Sequence, residues 1–562
     1  MGFMYSTRYL PLLGLLFSLS LCFFLSILSY DGSSFLLEYS LFDVSSCIFT
    51  FSLQVDWVSV SFGAVICIIS CCVFSFACAY MSGDPYFMRF INILLGFVVS
   101  MLVLVYSASL FSMLLGWDGL GITSFALIIY YQSSESFSAG FHTLMINRVG
   151  DSIIVSSMFL FLGSGLFGYT ILSPIECVLG WLVSVACLTK SAHYPFSSWL
   201  PAAMAAPTPV SALVHSSTLV TAGIFVMVRI WGTLQLPPMV GEMLLLCGAL
   251  TCFLGGTAAV FENDVKKLVA LSTLSQLGVM GFCLGLGLPY LSLFHLYTHA
   301  LFKSLLFLIV GVFLMNSFGV QDLRLLGGMS SKAPVVMVPF LVSSLCLAGA
   351  PFMSGFYSKH LILEGAAQSG ISAFSLLVFF VAVGLTGVYV SRLLLIFVGG
   401  SPTIPLSCSS QSWLILMPLL ILSVFSVLAG LGLTSTTNYF VEVAFIPSYF
   451  SLLASTSIIL FLLVWSISSV KTWGIRTAWV LGTMFFVAPT VIRSPMLMSG
   501  VSKGLGVLES GWLEPAFLSR EVLRSYYNYL SNMMSWPRES DSLYRSLLSL
   551  LFISMFAYLV IV

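Results

Sequence analysis

The 562-residue chain is 59% hydrophobic and 7% charged, with a mean hydropathy of +1.08. Soluble domains carry about 25% charged residues, so this composition excludes a water-soluble globular protein and indicates a polytopic membrane protein. Basic and acidic residues balance at 20 each, which excludes a nucleic-acid partner selected by net charge. The 13 cysteines are scattered through apolar runs without a CxxC pair, so we interpret them as small buried side chains rather than disulfides or metal ligands.

Apolar runs long enough to cross a membrane recur along the whole chain. A span needs about 20 such residues, and on this basis we predict about 15 or 16 spans. The first runs from Leu10 to Leu28 and is too long for a typical signal-peptide core. Residues 31–56 are more polar and predict an exposed loop with a short helix or a hairpin. Further spans are predicted at 57–80 and 87–115.

Three charged residues interrupt the apolar sequence that follows. Asp118 lies between Leu114-Leu115 and the run that starts at Ile122, so a loop or helix-cap acid and a buried functional carboxylate are about equally good interpretations. Arg148 and Asp151 are three residues apart, a spacing that predicts an ion pair on one helix face.

The stretch from Cys187 to Arg229 is the most informative part of the sequence. Lys190 ends an apolar run with no acid beside it, and four prolines between 195 and 209 precede the apolar run that carries His215. Proline cannot donate a backbone hydrogen bond and disfavours helix in the residue before it, so the helix that carries Lys190 is expected to break close to the lysine. Broken helices at membrane depth occur where they line a cavity, and an amine and an imidazole there indicate an ion path.

The second half carries a comparable set of basic side chains. Lys266 and Lys267 follow Asn263-Asp264, an N-cap signal, and form either a positive loop that fixes orientation or part of the ion path. Farther on, three titratable residues recur every four positions, which places them on one side of one helix: His295, His299 and Lys303. Burial disfavours their charged forms, so such groups can exchange protons near neutral pH. We do not interpret them as a metal site, because this helix offers no carboxylate or thiolate to complete one.

A second interrupted helix is predicted around Pro351 and Gly355, just before Lys359, His360 and Glu364. The arrangement matches the one at Lys190, and paired interruptions in two halves indicate inverted repeats with ion sites at the breaks.

The C-terminal part changes character. Leu518, Val522 and Tyr526 begin an apolar series with a period of four, and polar residues take another face, which predicts an amphipathic helix that lies along a surface. We therefore divide the chain into N-terminal spans (1–86), a first half (87–232), a second half (233–400), C-terminal spans (401–492), a lateral amphipathic segment (493–545) and a terminal span (546–562).

Six stretches carry a resemblance to a known family. GWDGLG, NRVGD, TKSAHYPFSSWLP, DVKKLVALSTLSQLG, HLYTHALFKSLLFL and GFYSKHLILEG resemble, in this order, the antiporter-like membrane subunits of respiratory complex I and the related Mrp antiporters. The C-terminal segment and final span are more similar to subunit 5 than to subunits 2 and 4. The resemblance implies an all-α polytopic membrane protein with two inverted repeats that contain broken helices, followed by a lateral helix and a terminal span.

The resemblance also implies proton translocation driven by quinone reduction elsewhere in the complex. It places Asp118 at the switchable carboxylate that pairs with the first lysine, Lys190, and Lys359 at the exit-side lysine. The central hydrated path would consist of His215, Lys266, His295, His299 and Lys303. Auxiliary positions are Arg148, Asp151, His360 and Glu364. The family usually has glutamate at the position of Asp118 and often aspartate at that of His360, which makes Glu364 the alternative exit-side partner.

Partners and location follow from the same resemblance. It implies a multi-pass protein of the mitochondrial inner membrane whose partners are the lipid bilayer, protons and other membrane-arm subunits, especially subunits 4 and 2. It also implies no cofactor or metal in this chain, with NADH, FMN, iron–sulfur clusters and ubiquinone bound by other subunits. The alternatives are an autonomous Mrp-type Na⁺/H⁺ antiporter and a structural subunit with vestigial charges. The lateral segment favours the first interpretation, because a free-standing antiporter has no arm to brace.

Overall fold

The structure is a computed structural model that describes residues 34–44, 47–163, 176–233, 237–369, 372–399 and 412–436, with isolated residues within 14–21, 480–487 and 499–504. Residue contacts divide the chain into two units, 1–488 and 489–562, and every element named here belongs to the first. Several predicted elements lie wholly or largely outside the described residues: the first span, the part of the C-terminal spans after residue 436, the lateral segment 493–545 and the terminal span.

The polar interlude 31–56 contains a β-hairpin, one of the two forms predicted for it. Strands β1 (Phe35–Val44) and β2 (Cys47–Val55) pair antiparallel, with a register shift that marks a bulge near the middle of β1. The second strand leads directly into Asp56, the N-cap residue of the first long helix.

Helices make up the rest of the described chain. They are α1 (Trp57–Tyr80), α2 (Phe87–Tyr106), α3 (Leu110–Ile128), α4 (Ser134–Gly163), α5 (Glu176–Lys190), α6 (Trp199–Ala202), α7 (Thr208–Val210), α8 (Leu219–Thr233), α9 (Pro238–Phe261), α10 (Val265–Gly285), α11 (Pro289–Asn316), α12 (Met329–Lys332), α13 (Pro334–Ala348), α14 (Ser354–Gln368), α15 (Ala373–Gly399) and α16 (Trp413–Thr436). Nine helical stretches within the described residues are long and apolar enough to cross a membrane. The predicted all-α polytopic class is confirmed.

The prediction of one span over 87–115 is wrong. Helix α2 ends at Tyr106, and α3 begins at Leu110 behind a capping box, in which the Ser109 hydroxyl accepts the backbone N–H of Ser112 and the Ser112 hydroxyl accepts that of Ser109. These reciprocal hydrogen bonds start a new helix within the apolar run, although the hydropathy of the run predicts a single continuous span. Asp118 therefore lies in the middle of α3, and its interpretation as a loop acid is wrong as well.

Helix α11 lies at the centre of the bundle. Nearly all of its side chains are buried, and it packs against α1, α8, α10, α13, α14 and α16. A helix that is apolar on all sides belongs inside a bundle, so the polar side chains on α11 are enclosed by protein.

Both predicted helix breaks are present. Helix α5 ends at Lys190 and α6 begins at Trp199, while α13 ends at Ala348 and α14 begins at Ser354. Gly349 caps α13 with a φ of 82°, the left-handed conformation that favours glycine.

Gly355, which we predicted to interrupt the helix, instead lies inside α14. A Cβ atom there would stand 2.0 Å from the carbonyl oxygen of Cys346, so this glycine permits close packing of α14 against the end of α13. Pro351 does lie in the break.

Arg392, near the end of α15, is bonded to the end of α9. Its guanidinium donates to the carbonyl oxygens of Val260 and Glu262, the latter at 2.8 Å, and to the side-chain oxygen of Asn263 at 2.7 Å. The end of α9 leaves carbonyl groups without helical partners, and Arg392 satisfies them from a neighbouring helix.

A bidentate ion pair joins the start of α1 to the end of α8. Arg229 donates to the two carboxylate oxygens of Asp56 at 2.5 and 2.9 Å, and the backbone N–H of Ser59 donates to the same carboxylate. Burial acts to raise the pKa of Asp56, but these hydrogen bonds outweigh it and hold the pKa below its ordinary value. A carboxyl with a lowered folded-state pKa stabilises the fold above its unfolded pKa of about 4 and loses that contribution only as the pH falls further.

Removing either partner of this pair is expected to destabilise the protein. Hydrogen bonds to charged groups contribute about 1.5–3 kcal/mol each, so Arg229→Ala and Asp56→Ala should each lower the free energy of unfolding by at least about 2 kcal/mol. Thermal denaturation of the purified protein measures both, and the double variant closes a mutant cycle. Strictly additive effects of the two changes would contradict a direct interaction.

Candidate functional site

Lys190, the last residue of α5, is completely buried. Its ammonium group donates to the backbone carbonyl oxygen of Trp117 at 2.5 Å and lies 3.9 Å from the centre of the Trp117 ring. No described acidic group is bonded to this amine, so its charge is balanced at longer range.

The balancing charges form a cluster on α3 and α4. Asp151 accepts a hydrogen bond from the indole N–H of Trp117 at 2.8 Å, and its other oxygen lies 3.3 Å from Arg148. Arg148 also lies 3.8 Å from Asp118. The pair predicted between Arg148 and Asp151 is present, and together with Lys190 the cluster contains two acids and two bases.

The direct pair that the family resemblance implies between Asp118 and Lys190 is not formed here. Asp118 contacts Arg148 instead: its side chain is 36% exposed as a whole, although Oδ1, the oxygen nearest Arg148, is buried, while Lys190 is fully enclosed. Trp117 occupies the space beside the amine.

Two glycines allow α5 to be held tightly near this cluster. A Cβ atom on Gly150 of α4 would meet the Thr189 hydroxyl at 2.1 Å, and one on Gly223 of α8 would meet the Cys187 carbonyl oxygen at 2.5 Å. Close packing of α4 and α8 against the last turn of α5 fixes the backbone there, and with it the position of the Lys190 Cα atom.

His215 lies in an eight-residue π-helix, Ser211–Thr218, which joins α7 to α8. Hydroxyl groups satisfy the carbonyls that the wider turn exposes: Ser217 and Thr218 both donate to the carbonyl oxygen of Leu213. His215 is buried, and neither ring nitrogen has a hydrogen-bond partner among the described residues. π-Turns are frequent at functional sites.

The predicted row on α11 is buried in the centre of the bundle. His295 bonds the hydroxyl of Ser358 at 2.9 Å and the side-chain oxygen of Gln276 at 3.3 Å, and Lys303 donates to the hydroxyl of Ser272 at 2.6 Å. Between them, both nitrogens of His299 lack a hydrogen-bond partner in the described part of the chain. The rings of the two histidines have centres 6.4 Å apart.

At the second break, Lys359 folds back toward the interruption. A Cβ atom built on Gly349 would lie 3.6 Å from its side chain, and its amine donates to the Thr386 hydroxyl at 2.7 Å. Glu364 contacts His360 at 3.0 Å, so within the described residues it is engaged by the histidine rather than by Lys359.

The adjacent lysines at the start of α10 have different surroundings. Lys266 is buried, with its amine 3.4 Å from the carbonyl oxygen of Ala206, beside the first break. Lys267 is exposed and pairs with Asp264 at 2.8 Å. Both lysines lie in the first turn of α10, and the part of the buried Lys266 in an ion path stays a prediction.

Several polar partners escaped the sequence analysis. The hydroxyls of Ser272, Ser358 and Thr386 and the amide of Gln276 serve the central amines and imidazoles. His193 is buried as well and bonds the hydroxyl of Thr251 at 3.2 Å. Serine and threonine are too common in membrane helices to stand out, and only their position opposite a titratable group marks them.

Comparisons with known families agree with the order of the motifs. Residues 107–386 match the family model described as NADH:quinone oxidoreductase/Mrp antiporter, TM. Residues 41–91 match the model for the N-terminus of NADH-ubiquinone oxidoreductase (complex I) chain 5. The two models together cover the second strand of the hairpin, both helix breaks and every basic residue of the site.

Solved structures show the same fold at low sequence identity. The Mrp complex from Dietzia sp. DQ12-45-1b aligns with a TM-score of 0.73 and 21% identity, over 96% of this chain and 63% of that chain. The membrane-bound sulfane sulfur reductase, an archaeal respiratory membrane complex, aligns with a TM-score of 0.68 and 18% identity, over 81% of this chain and 92% of that chain.

Curated relatives are much more similar in sequence. NADH-ubiquinone oxidoreductase chain 5 of Aedes aegypti is 44% identical over 66% of this chain and 65% of its own length. That of Anopheles arabiensis is 48% identical over 53% of this chain and 78% of its own length. The chain thus spans somewhat less than two thirds of the Aedes relative, while it covers more than three quarters of the Anopheles one. The chain belongs to the NADH-ubiquinone oxidoreductase chain 5 family.

Proposed function

We propose that this chain is a proton-translocating membrane-arm subunit of NADH:ubiquinone oxidoreductase in the mitochondrial inner membrane. The observation that carries the proposal is a set of buried amines and imidazoles that runs through both halves of an apolar bundle. Within the described part of the chain, three lysines of this set bond only neutral oxygens: Lys190 a carbonyl, Lys303 and Lys359 hydroxyls.

Neutral partners suit groups that must change their protonation state. A buried ammonium without an adjacent anion is costly, whereas an amine that donates to a hydroxyl remains satisfied whether or not it carries the extra proton. A change of charge elsewhere in the membrane arm would then decide when each lysine binds or releases its proton. The ring nitrogens of His215 and His299 are buried without a hydrogen-bond partner among the described residues, and in this proposal water molecules bond them and connect the lysines.

The charged cluster formed by Asp118, Arg148 and Asp151 near Lys190 would supply that change of charge. Asp118 and Arg148 lie near the middle of their helices, yet their side chains are 36% and 47% exposed. Charged groups at membrane depth are very costly against lipid, so we assign this face to contact with a neighbouring protein subunit. Antiporter-like subunits 4 and 2 are the partners we propose, and the remaining outer surface contacts the bilayer.

The redox chemistry is assigned to other subunits. In this proposal NADH, FMN, iron–sulfur clusters and ubiquinone are bound elsewhere in the complex, and this chain contributes proton transfer alone. The second candidate, an autonomous Mrp-type Na⁺/H⁺ antiporter, is supported by the likeness of fold to the Mrp complex. At 21% identity this likeness concerns the fold alone, whereas the chain 5 relatives are 44–48% identical in the examples above.

Lys303→Met tests the function. The variant keeps the length of the buried side chain but removes its titratable amine, so proton pumping by the assembled complex in proteoliposomes should fall by about two orders of magnitude, the lower end of what a positioned proton-transfer group contributes. Pumping is measured from the pH change that NADH oxidation produces.

Ser304→Ala is the matched control, because Ser304 is the next residue on α11 and is fully buried. Among the described residues it bonds only the carbonyl oxygen of Leu301 in its own helix. This variant should pump normally. Native pumping by an assembled Lys303→Met complex would refute the proton path. Sodium-dependent proton exchange by the isolated chain, outside any large assembly on a native gel, would favour the antiporter instead.

A further inference from the structure

We propose that Trp117 is a positioning residue that joins Lys190 to Asp151 while keeping the two charges apart, an inference that rests on the proposed function. No role was assigned to Trp117 from the sequence, where it is one of 11 tryptophans. It is completely buried between the amine and the acid.

One residue makes three contacts here. The backbone carbonyl of Trp117 accepts from the Lys190 amine, the face of its indole ring lies 3.9 Å from the same nitrogen, and its indole N–H donates to Asp151 at 2.8 Å. The ring thus contacts the cation with its electron-rich face and the anion with its electron-poor edge, as the charge distribution of an indole requires.

The two contacts strengthen each other. Donation of the indole N–H to a carboxylate adds electron density to the ring, which increases the attraction of its face for an ammonium. Ionisation of Asp151 therefore stabilises protonated Lys190 through the ring, and neutralisation of Asp151 weakens that hold.

An aromatic spacer also prevents the charges from locking together. Oppositely charged groups in direct contact attract strongly in a medium of low dielectric constant, and a lysine in such a contact releases its proton with difficulty. With Trp117 between them, the amine is influenced by the acid without being bound to it. The other titratable groups that act on Lys190 are Asp118, Arg148 and Cys187, and among these Asp118 and Arg148 contact each other.

Trp117→Phe separates these contributions. Phenylalanine keeps an aromatic face and the backbone carbonyl but removes the N–H that Asp151 accepts. Ionised Asp151 loses a hydrogen bond, and protonated Lys190 loses part of its attraction to the ring. The pH range over which the assembled complex pumps protons in proteoliposomes should therefore narrow at both its acidic and its alkaline limit. We expect the acidic and alkaline half-maximal points each to move inward by about one pH unit, the consequence of a tenfold change in each proton affinity.

Trp199→Phe is the matched control. Trp199 is equally buried and donates its indole N–H to the carbonyl oxygen of Thr189 at 3.1 Å, but that acceptor carries no charge. A purely structural effect of losing a buried indole N–H would appear in both variants, whereas a narrowed pH profile should appear only in Trp117→Phe. Equal pH profiles for the two variants would overturn the proposal.

A second variant tests the proposal in case the Trp117→Phe protein does not assemble into the complex. Asp151→Asn retains Trp117 and removes the charge from the acceptor of the indole hydrogen bond. Asparagine does not titrate, so the acidic limb of the pH profile that is due to Asp151 should disappear. The alkaline limb should move to lower pH, because protonated Lys190 loses the support of the anion. An unchanged alkaline limb would show that Asp151 does not act on Lys190. Native pumping by the Lys303→Met complex would refute the proposed function. If instead Lys303→Met is inactive and Trp117→Phe keeps the native pH range, the proposed function stands and the role of Trp117 is refuted.

Discussion

Replacement of Lys190 by methionine is expected to lower the proton-pumping rate of the assembled complex by about two orders of magnitude. The amine is fully buried, stands at the end of a broken helix and is the only basic side chain in contact with Trp117 in the described structure. Methionine fills a similar volume in the apolar surroundings, so helix packing should persist while the proton-binding group is lost. Pumping driven by NADH oxidation in proteoliposomes measures the change, and a native gel checks assembly.

The control for this variant is Lys332→Met. Lys332 lies exposed at the end of α12, in a short helix between two spans, and its removal should leave pumping unchanged. Normal pumping by a correctly assembled Lys190→Met complex would show that protons do not pass through this amine.

Much of this site could be predicted because charged residues are rare in the chain. Lys190 stands out against an apolar run, the prolines that follow it predict the break, and the spacing of His295, His299 and Lys303 places them on one side of one helix. The physical reason is that membrane helices exclude charge unless it has a function, so each exception carries information.

The connections within the site could not be predicted from the same patterns. The capping box at Ser109, which ends one span and starts another, uses ordinary serines inside an apolar run. The π-helix around His215 depends on hydroxyl groups that bond carbonyls four and five residues earlier. The contacts of Trp117 depend on the packing of α4 against both α3 and α5, which no local pattern encodes.

The role of Asp118 gives the second large expected effect. Asp118→Asn keeps the size of the side chain and removes its charge, which leaves Arg148 and Lys190 with a single acid, Asp151. Arg148 then competes for that acid from 3.3 Å and draws it away from the indole N–H of Trp117. We expect the pumping rate to fall about tenfold, equivalent to about 1.4 kcal/mol in the transition state.

Asp118→Glu should largely preserve pumping, because it keeps the charge and its extra methylene group lets the carboxylate cover the 3.8 Å that now separates Asp118 from Arg148. Glu135→Gln is the control for loss of a carboxylate, since Glu135 is exposed in the first turn of α4, away from the cluster. No contact joins Asp118 to Lys190 in the described structure, so we expect the charge of Asp118 to act on the lysine largely through Arg148, Asp151 and Trp117. The effect of Asp118→Asn should therefore shrink markedly when Trp117 is already phenylalanine. Full and independent effects of the two changes would instead place Asp118 on a separate route to the lysine.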